Sequence, residues 1–377
     1  MTIIKESSPH LRRRSSVSRM MLDVLIALLP VVVYSIILTQ WKAVVILAVS
    51  LGVMIASEFV YFGIKNKMPY DGVKHTFKEK FKFAYAKYGI SNVLAPSVSA
   101  VIYAMILPAS LANHLYVVAV GALAGILLGK LLFGGLGSNI FNPAAVGMVI
   151  AKISFGSSAF YNKVDPYYST NLGGTVLTLI HNPDVGYLTI NSQFISVLDL
   201  FLGKCPGTLG EVSALLILIG AAYLFIRRSA DFRPFVAYLG TFIVLMMIAG
   251  LCICYKLGFE NLSYWKFIGV ELFSGGILFG AVFMITDPVT SPINRPGRYI
   301  YGMIAGVCTV FIRLFAALPE GVVFSILIAN MFAPVIDYYK WSSNRFSKKK
   351  LIWMASILVA AIAVVLIVLL SPGVVTK

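Results

Sequence analysis

Charged and hydroxyl side chains set inside apolar runs are where this chain could do chemistry. Asp23, Glu58, Lys130, Lys152, Glu211 and Glu271 each fall within an apolar stretch, about two helical turns or less from its end. In a membrane, such groups mark an ion path when they line up near the midplane, and snorkel to the edge when they lie near a span end. No midplane chain of carboxylates is visible, so snorkelling or a polar helix start is the expectation for all six. Asp287 differs. It precedes Pro288 where an apolar run is interrupted, and a carboxylate there can cap the next segment or help line a cavity. Asn142 stands in the same way before Pro143. A further candidate lies in the polar stretch Asp165–Pro206, where Gly173-Gly174-Thr175 forms a turn-like triplet among hydroxyl residues; alone, this signals an exposed loop. The four histidines are scattered without metal-ligand spacing. Of the cysteines, Cys252, Cys254 and Cys308 fall in apolar runs and Cys205 stands alone, which is neither a disulfide nor a zinc framework. There is no Cys/His cluster and no Walker-type loop, and the basic residues lie in short loops between apolar runs, so neither metal nor nucleic acid is expected.

The elements that must carry these groups follow from composition. Hydrophobic residues make up 59% of the 377 and charged ones 12%, with a mean hydropathy of +0.88. Soluble domains carry roughly 25% charged residues. The apolar runs are continuous over about 20 residues, which reads as membrane helices and not barrel strands. Ten spans are expected at 20–39, 43–63, 95–113, 115–134, 140–156, 210–227, 233–254, 268–287, 299–318 and 321–338, with an eleventh at 351–370. The first is too long for a signal peptide and is followed by no small-x-small cleavage site, so it is read as retained. GALAGILLG in the fourth span is a small-residue face for close helix packing.

One short pattern occurs twice. Asn139-Ile140-Phe141-Asn142-Pro143 returns as Asn330-Met331-Phe332-Ala333-Pro334, and each copy follows another proline-broken segment, at a separation of 31 and 42 residues from Pro108 and Pro288. This points to a duplicated membrane unit with a site where broken helices meet. Five spans per unit force the two units into opposite topology. The expected organisation is a basic amino terminus (1–19), a first membrane repeat (20–156), an extracytoplasmic segment (157–208), a second repeat (209–340) and an extra carboxyl-terminal span (341–377). Of the 31 lysines and arginines, 22 fall on one side when the amino terminus is placed in the cytoplasm. The positive-inside rule then puts 157–208 outside. The stretch 64–89, with lysines interleaved among Phe and Tyr, suits an interfacial surface on anionic lipid, or docking of an acidic cytoplasmic partner.

Several blocks together resemble one family: SPHLRRRSSVSRMMLDVLIALLP at 8–30, GSNIFNPAAVGMVI at 137–150, GTLGEVSALLILIGAAYL at 207–224, ITDPVTSPINRPGRYIYG at 285–302 and LIANMFAPVIDYY at 327–339. They are similar to the D subunit of the Rnf-type ion-translocating electron-transport complex and, more distantly, to the B subunit of the sodium-pumping NADH:quinone reductase. The amino-terminal block favours the former, and the eleventh span has no counterpart in the family pattern. The resemblance implies an all-α integral membrane protein that carries FMN through a phosphoester on a threonine outside the cytoplasm. That threonine aligns with Thr175, with Gly173 and Gly174 beside it. Ser169 stands where the family motif has aspartate, and Leu172 where it has serine or threonine. A second, noncovalent flavin (riboflavin) is implied among the spans, near Asn142 and Asp287.

The implied function is electron relay within a ferredoxin:NAD+ oxidoreductase that moves Na+ or H+. Iron–sulfur and flavin subunits are the expected partners, a flavin transferase the modifying enzyme, and the bacterial inner membrane the location. No complete active site is expected in this chain alone. The rival classes are an inverted-repeat secondary transporter or channel without a redox cofactor, which the sequence by itself would favour, and a purely structural membrane anchor.

Overall fold

The computed structural model describes residues 17–69, 76–160, 196–203, 207–211, 213–258, 263–316, 321–338 and 346–371. They are almost entirely helical, and no strand occurs among them. The Gly173-Gly174-Thr175 triplet, Ser169 and Cys205 lie outside the described residues.

The first half contains α1 (Val17–Thr39), α2 (Trp41–Lys65), α3 (Phe77–Tyr85), α4 (Ile90–Met105), α5 (Leu115–Gly129) and α6 (Pro143–Phe160). A short α7 (Val197–Leu202) leads to the second half: α8 (Ala214–Arg227), α9 (Phe232–Leu257), α10 (Tyr264–Phe273), α11 (Ile277–Phe283), α12 (Arg295–Phe315) and α13 (Val322–Asp337). The chain continues into α14 (Lys348–Leu370). Among the described residues, α1, α2, α9, α12, α14 and the stretch from α5 through the 3-10 turn Leu131–Phe133 are long and apolar enough to cross a membrane. Two bent pairs, α3–α4 (72°) and α10–α11 (44°), and three shorter apolar helices occupy the remaining expected places. The protein is an all-α multi-pass membrane protein.

The two halves of the chain pack in a similar pattern. In the first half α1 meets α4, α2 meets α4 and α5, α4 meets α6, and α5 meets α6. In the second half, α8 meets α11, α9 meets α10 and α12, α11 meets α13, and α12 meets α13. The halves join where equivalent helices touch, α1 on α8 and α6 on α13. Close backbone approach supports both halves. A Cβ on Gly125 of α5 would come within 2.5 Å of the Pro143 carbonyl oxygen of α6, and one on Gly302 of α12 within 2.5 Å of the Pro234 carbonyl oxygen of α9. The extra helix α14 packs on α9 and α12, and Lys256 Nζ donates to the Ser371 carbonyl at its end (2.8 Å).

The repeated Asn-x-Phe-x-Pro pattern does not mark equivalent positions, and here the sequence expectation is corrected. Asn142-Pro143 starts α6: Asn142 Oδ1 accepts from the backbone N–H groups of Ala144 (3.0 Å) and Ala145 (3.4 Å), with Pro143 at the first helical position. The second copy lies inside α13, near its far end. There Asn330 Oδ1 accepts from the Tyr301 hydroxyl (2.6 Å), and Pro334 stands three residues before the helix stops. The matching prolines therefore stand at opposite ends of their helices, Pro143 at the start of α6 and Pro334 near the end of α13.

Each interrupted span must satisfy the backbone groups it frees, because lipid offers none. After α4, the carbonyls of Met105 and Leu107 accept from Gly210 N (2.6 Å) and Leu209 N (3.0 Å) of the strap 207–211, which Ser35 of α1 also holds by a hydrogen bond to the Leu209 carbonyl. Between α10 and α11 the work falls to Arg313 of α12. Its Nη1 donates to the Glu271 carbonyl (2.7 Å) and carboxylate (3.0 Å), and its Nη2 to the carbonyls of Ser274 (3.1 Å) and Gly275 (3.0 Å). The guanidinium also lies over the Phe242 ring, 5.2 Å from its centroid. Both Arg313 and Glu271 are fully buried.

Candidate functional site

The two halves leave a cavity of about 610 Å3 between them, at the end of the bundle where α1 begins. The first half contributes the start of α1, one face of α4, Lys130 and the connection from α5 to α6. The second contributes the end of α8 and the segment Val282–Val289. Its walls are mostly apolar, from residues such as Met21, Val98, Ile102 and Phe283, with Ser99, Asn139, Thr286 and Asp287 among the polar groups.

The α5–α6 connection is shaped by glycine. Gly134, Gly135 and Gly137 have φ of 114°, 95° and 83°, a region that side chains with a Cβ rarely adopt. This tight path sets Asn139 and Asn142 against the cavity while Asn142 still caps α6. Across the space, Asp287 closes the turn after α11. Its Oδ1 accepts from Val289 N–H (3.1 Å), its Oδ2 from the Thr290 hydroxyl (3.1 Å), and its carbonyl from Ser291 N–H (3.2 Å). Two of the residues singled out in the sequence, Asn142 and Asp287, are therefore brought to one cavity, each also serving as a cap. The turn continues to Asn294, whose Nδ2 donates to Asp337 at the end of α13 (2.7 Å); Asp337 also accepts from Ile293 N–H at 2.8 Å. Asn294 in turn caps α12 through Gly297 N–H (2.5 Å).

The charges near span ends do not snorkel, contrary to the sequence expectation. Asp23 (5% exposed), Glu58 (4%), Lys130 (3%) and Glu271 (0%) are all buried. Lys130 Nζ is 2.9 Å from Glu58 Oε2, joining the end of α5 to α2. Asp23 Oδ2 accepts from the Ser229 hydroxyl at 2.5 Å, and its Oδ1 from the Tyr223 hydroxyl (3.3 Å) and Arg227 (3.2 Å), which locks α1 onto the turn after α8. The physical reason is that a helix end is not an open surface here: neighbouring turns cover it and supply partners. Lys152 and Glu211 are half-buried. Sequence reasoning missed Arg313 altogether. Its signal was a lone arginine inside the apolar run of α12, three residues before an apolar Ala-Ala-Leu.

Just outside the membrane-spanning helices, Asp231 caps α9 and accepts from Arg233 N–H (2.9 Å), the Arg233 guanidinium (2.8 Å) and Arg298. Burial pushes its carboxyl up, but the hydrogen bonds and charges of the two arginines outweigh that and hold it below the usual carboxylate range. No group of three or more metal-ligating side chains occurs among the described residues.

A profile of the NQR2, RnfD, RnfE family matches residues 4–345, which ends just before α14. The B subunit of the Na(+)-translocating NADH-quinone reductase from Chromohalobacter salexigens is 37% identical over 254 residues, 66% of this chain and 58% of that protein. The protein of the same description from Neisseria meningitidis serogroup A is 34% identical over 260 residues, 66% of this chain and 60% of its own length. The chain thus spans about three-fifths of the length of these relatives. The matched region contains the whole cavity, both broken spans and the Thr175 triplet.

Proposed function

Because this chain belongs to the NQR2, RnfD, RnfE family, we propose that it is the membrane subunit of an ion-translocating oxidoreductase complex and relays electrons through flavin. The single observation that carries the reading furthest is the cavity between the halves. A space of about 610 Å3, with apolar walls and a few polar groups, matches sites that take small planar cofactors. The residues present fit riboflavin: apolar side chains from both halves can cover a flat ring system, while Asn139, Thr286 and Ser99 offer edge hydrogen bonds. Asn142 and Asp287 act there by fixing the two turns that frame the ring. A second flavin, FMN, is joined by a phosphoester to Thr175 in the Gly173-Gly174-Thr175 triplet, the stretch that resembles the family's attachment motif.

Flavin supplies one- and two-electron chemistry, and the protein supplies position and electrostatics. Packing of α1 on α4 and α8, and of α8 on α11, holds the cavity walls together. The apolar lining keeps bulk water from the ring. The amino terminus and the cavity face the cytoplasm of a bacterial inner membrane, where iron–sulfur and flavin subunits deliver electrons. Thr175 faces the other side. This arrangement suits a ferredoxin:NAD+ oxidoreductase of the Rnf type, and the coupled ion is Na+ or H+. The test is direct. After denaturing electrophoresis the chain is expected to fluoresce as a flavin band, and Thr175→Ala to abolish the band while the protein still reaches the membrane. An unmodified chain with no fluorescent band and no extractable flavin would instead support a transporter without a redox cofactor, which the two bent spans also suit.

A further inference from the structure

The stretch between α2 and α4 is strongly basic. Residues 64–89 hold seven lysines and no arginine, against the two acids Asp71 and Glu79. Within it, α3 is too short and too charged to be a span: it has nine residues and carries Lys78, Lys80 and Lys82. It stands at 72° to α4. It packs beside the last turns of the membrane-crossing α2, where the Tyr85 ring stacks on Phe59 at 4.3 Å and the Tyr85 hydroxyl donates to the Phe59 carbonyl (3.1 Å). Lys65, which ends α2, donates to the Gly134 carbonyl (2.6 Å), so α3 belongs to the same end of the bundle as the cavity.

At 3.6 residues per turn, Phe77, Phe81, Ala84 and Tyr85 form one stripe of α3, with Lys78 and Lys82 on one side of it and Lys80 on the other. Phe83 is the one aromatic of this helix off the stripe. Tyr85 fixes the stripe to α2, but Phe77 is 79% exposed and Phe81 46%. Glu79, the single acid of α3, is drawn into the helix cap, where it accepts from Thr76 N–H at 3.0 Å. Among the described residues, none of the three exposed lysines has an ion-pair partner.

We propose that α3 is an interfacial helix that binds the headgroups of anionic phospholipids at the end of the bundle where the cavity lies. Two features select lipid over an acidic protein. The lysines straddle an aromatic stripe, so the rings enter the acyl boundary while ammoniums on both sides reach phosphates. A carboxylate patch on a protein is best met by the planar fork of arginine, and this stretch has none. The surface goes beyond the flavin reading and does not depend on it.

The experiment uses the full-length Phe77→Trp protein in phosphatidylcholine nanodiscs, with the parent chain supplying the signal of the four native tryptophans. Quenching by brominated phosphatidylglycerol is compared with quenching by brominated phosphatidylcholine at equal mole fraction. Phosphatidylglycerol is expected to bind at least about fivefold more strongly, the factor for one lysine near an anionic surface. In ~0.5 M salt the preference is expected to fall toward one. Lys78→Gln/Lys80→Gln/Lys82→Gln is expected to abolish it, and Lys78→Arg/Lys80→Arg/Lys82→Arg to keep it. Lys348→Gln/Lys349→Gln, at the start of α14, is expected to leave it unchanged; an equal loss there would reduce the effect to overall charge and overturn the proposal. Equal quenching by the two lipids overturns it as well. A preference that survives salt does so even where the triple glutamine variant fails to assemble. No quenching by either lipid would overturn it in favour of an acidic protein partner.

Discussion

Arg313 offers the sharpest perturbation. Replacing it with Met keeps much of the side-chain volume and deletes donors to three backbone carbonyls and one carboxylate, at 2.7–3.1 Å. Two consequences follow inside an apolar bundle. Glu271, fully buried, is left as an uncompensated charge, a change that typically costs about 3–5 kcal/mol. The carbonyls that end α10 lose their partners as well, at roughly 1–3 kcal/mol for each one left unsatisfied. These losses overlap, so about 3–5 kcal/mol is expected for Arg313→Met. Adding Glu271→Gln removes the stranded charge but not the stranded carbonyls, so the double variant should recover part of the loss and remain about 1–3 kcal/mol below the parent protein. The assay is a reversible unfolding titration of purified protein in mixed micelles, run as a double-mutant cycle. A single variant within about 0.5 kcal/mol of the parent would refute the assignment of Arg313 as the cap of the broken span.

The cavity turn should respond in graded fashion. Asp287→Ala strands Val289 N–H and the Thr290 hydroxyl and is expected to destabilise by about 1–2 kcal/mol and to lower retained riboflavin, while Asp287→Asn keeps one acceptor and is nearly silent in unfolding titrations. Asp231 should give an acid-side dependence. Its folded-state carboxyl lies below the ordinary value of 3.8, so its contribution is fully present above that value and is lost as pH falls through the lower folded value; Asp231→Asn should flatten this part of the stability–pH profile. Orientation is checked with an impermeant thiol reagent on whole cells: Ser169→Cys is expected to react and Ser347→Cys not, and the reverse pattern overturns the placement of Thr175.

The spans were legible because lipid demands long apolar runs and leaves little else that α1, α2, α9 or α14 could be. Asn142 and Asp287 were legible as a pair because each precedes a proline, which marks a helix start or turn whose following N–H groups the preceding side chain can cap. The repeated Asn-x-Phe-x-Pro pattern misled for the same reason that made it visible. Pro143 opens a helix in one copy and Pro334 lies near the end of a helix in the other, and residue type cannot tell these apart. Burial of Asp23, Glu58, Lys130 and Glu271 was illegible because it depends on which turn covers which helix end, a property of tertiary packing. A charge's distance from the end of its own span says nothing about the neighbour that lies across that end. Arg313 and Glu271 are separated by 42 residues in sequence, and only the break between α10 and α11 brings the arginine's role into being.

The central claim is that this chain carries flavin between and beside its two membrane halves. Intact-protein mass spectrometry, with acid extraction of the same sample, tests it most directly. The account predicts one added FMN mass on the full-length chain, absent from Thr175→Ala, and riboflavin in the extract of both. An unmodified mass together with an extract free of riboflavin would contradict it.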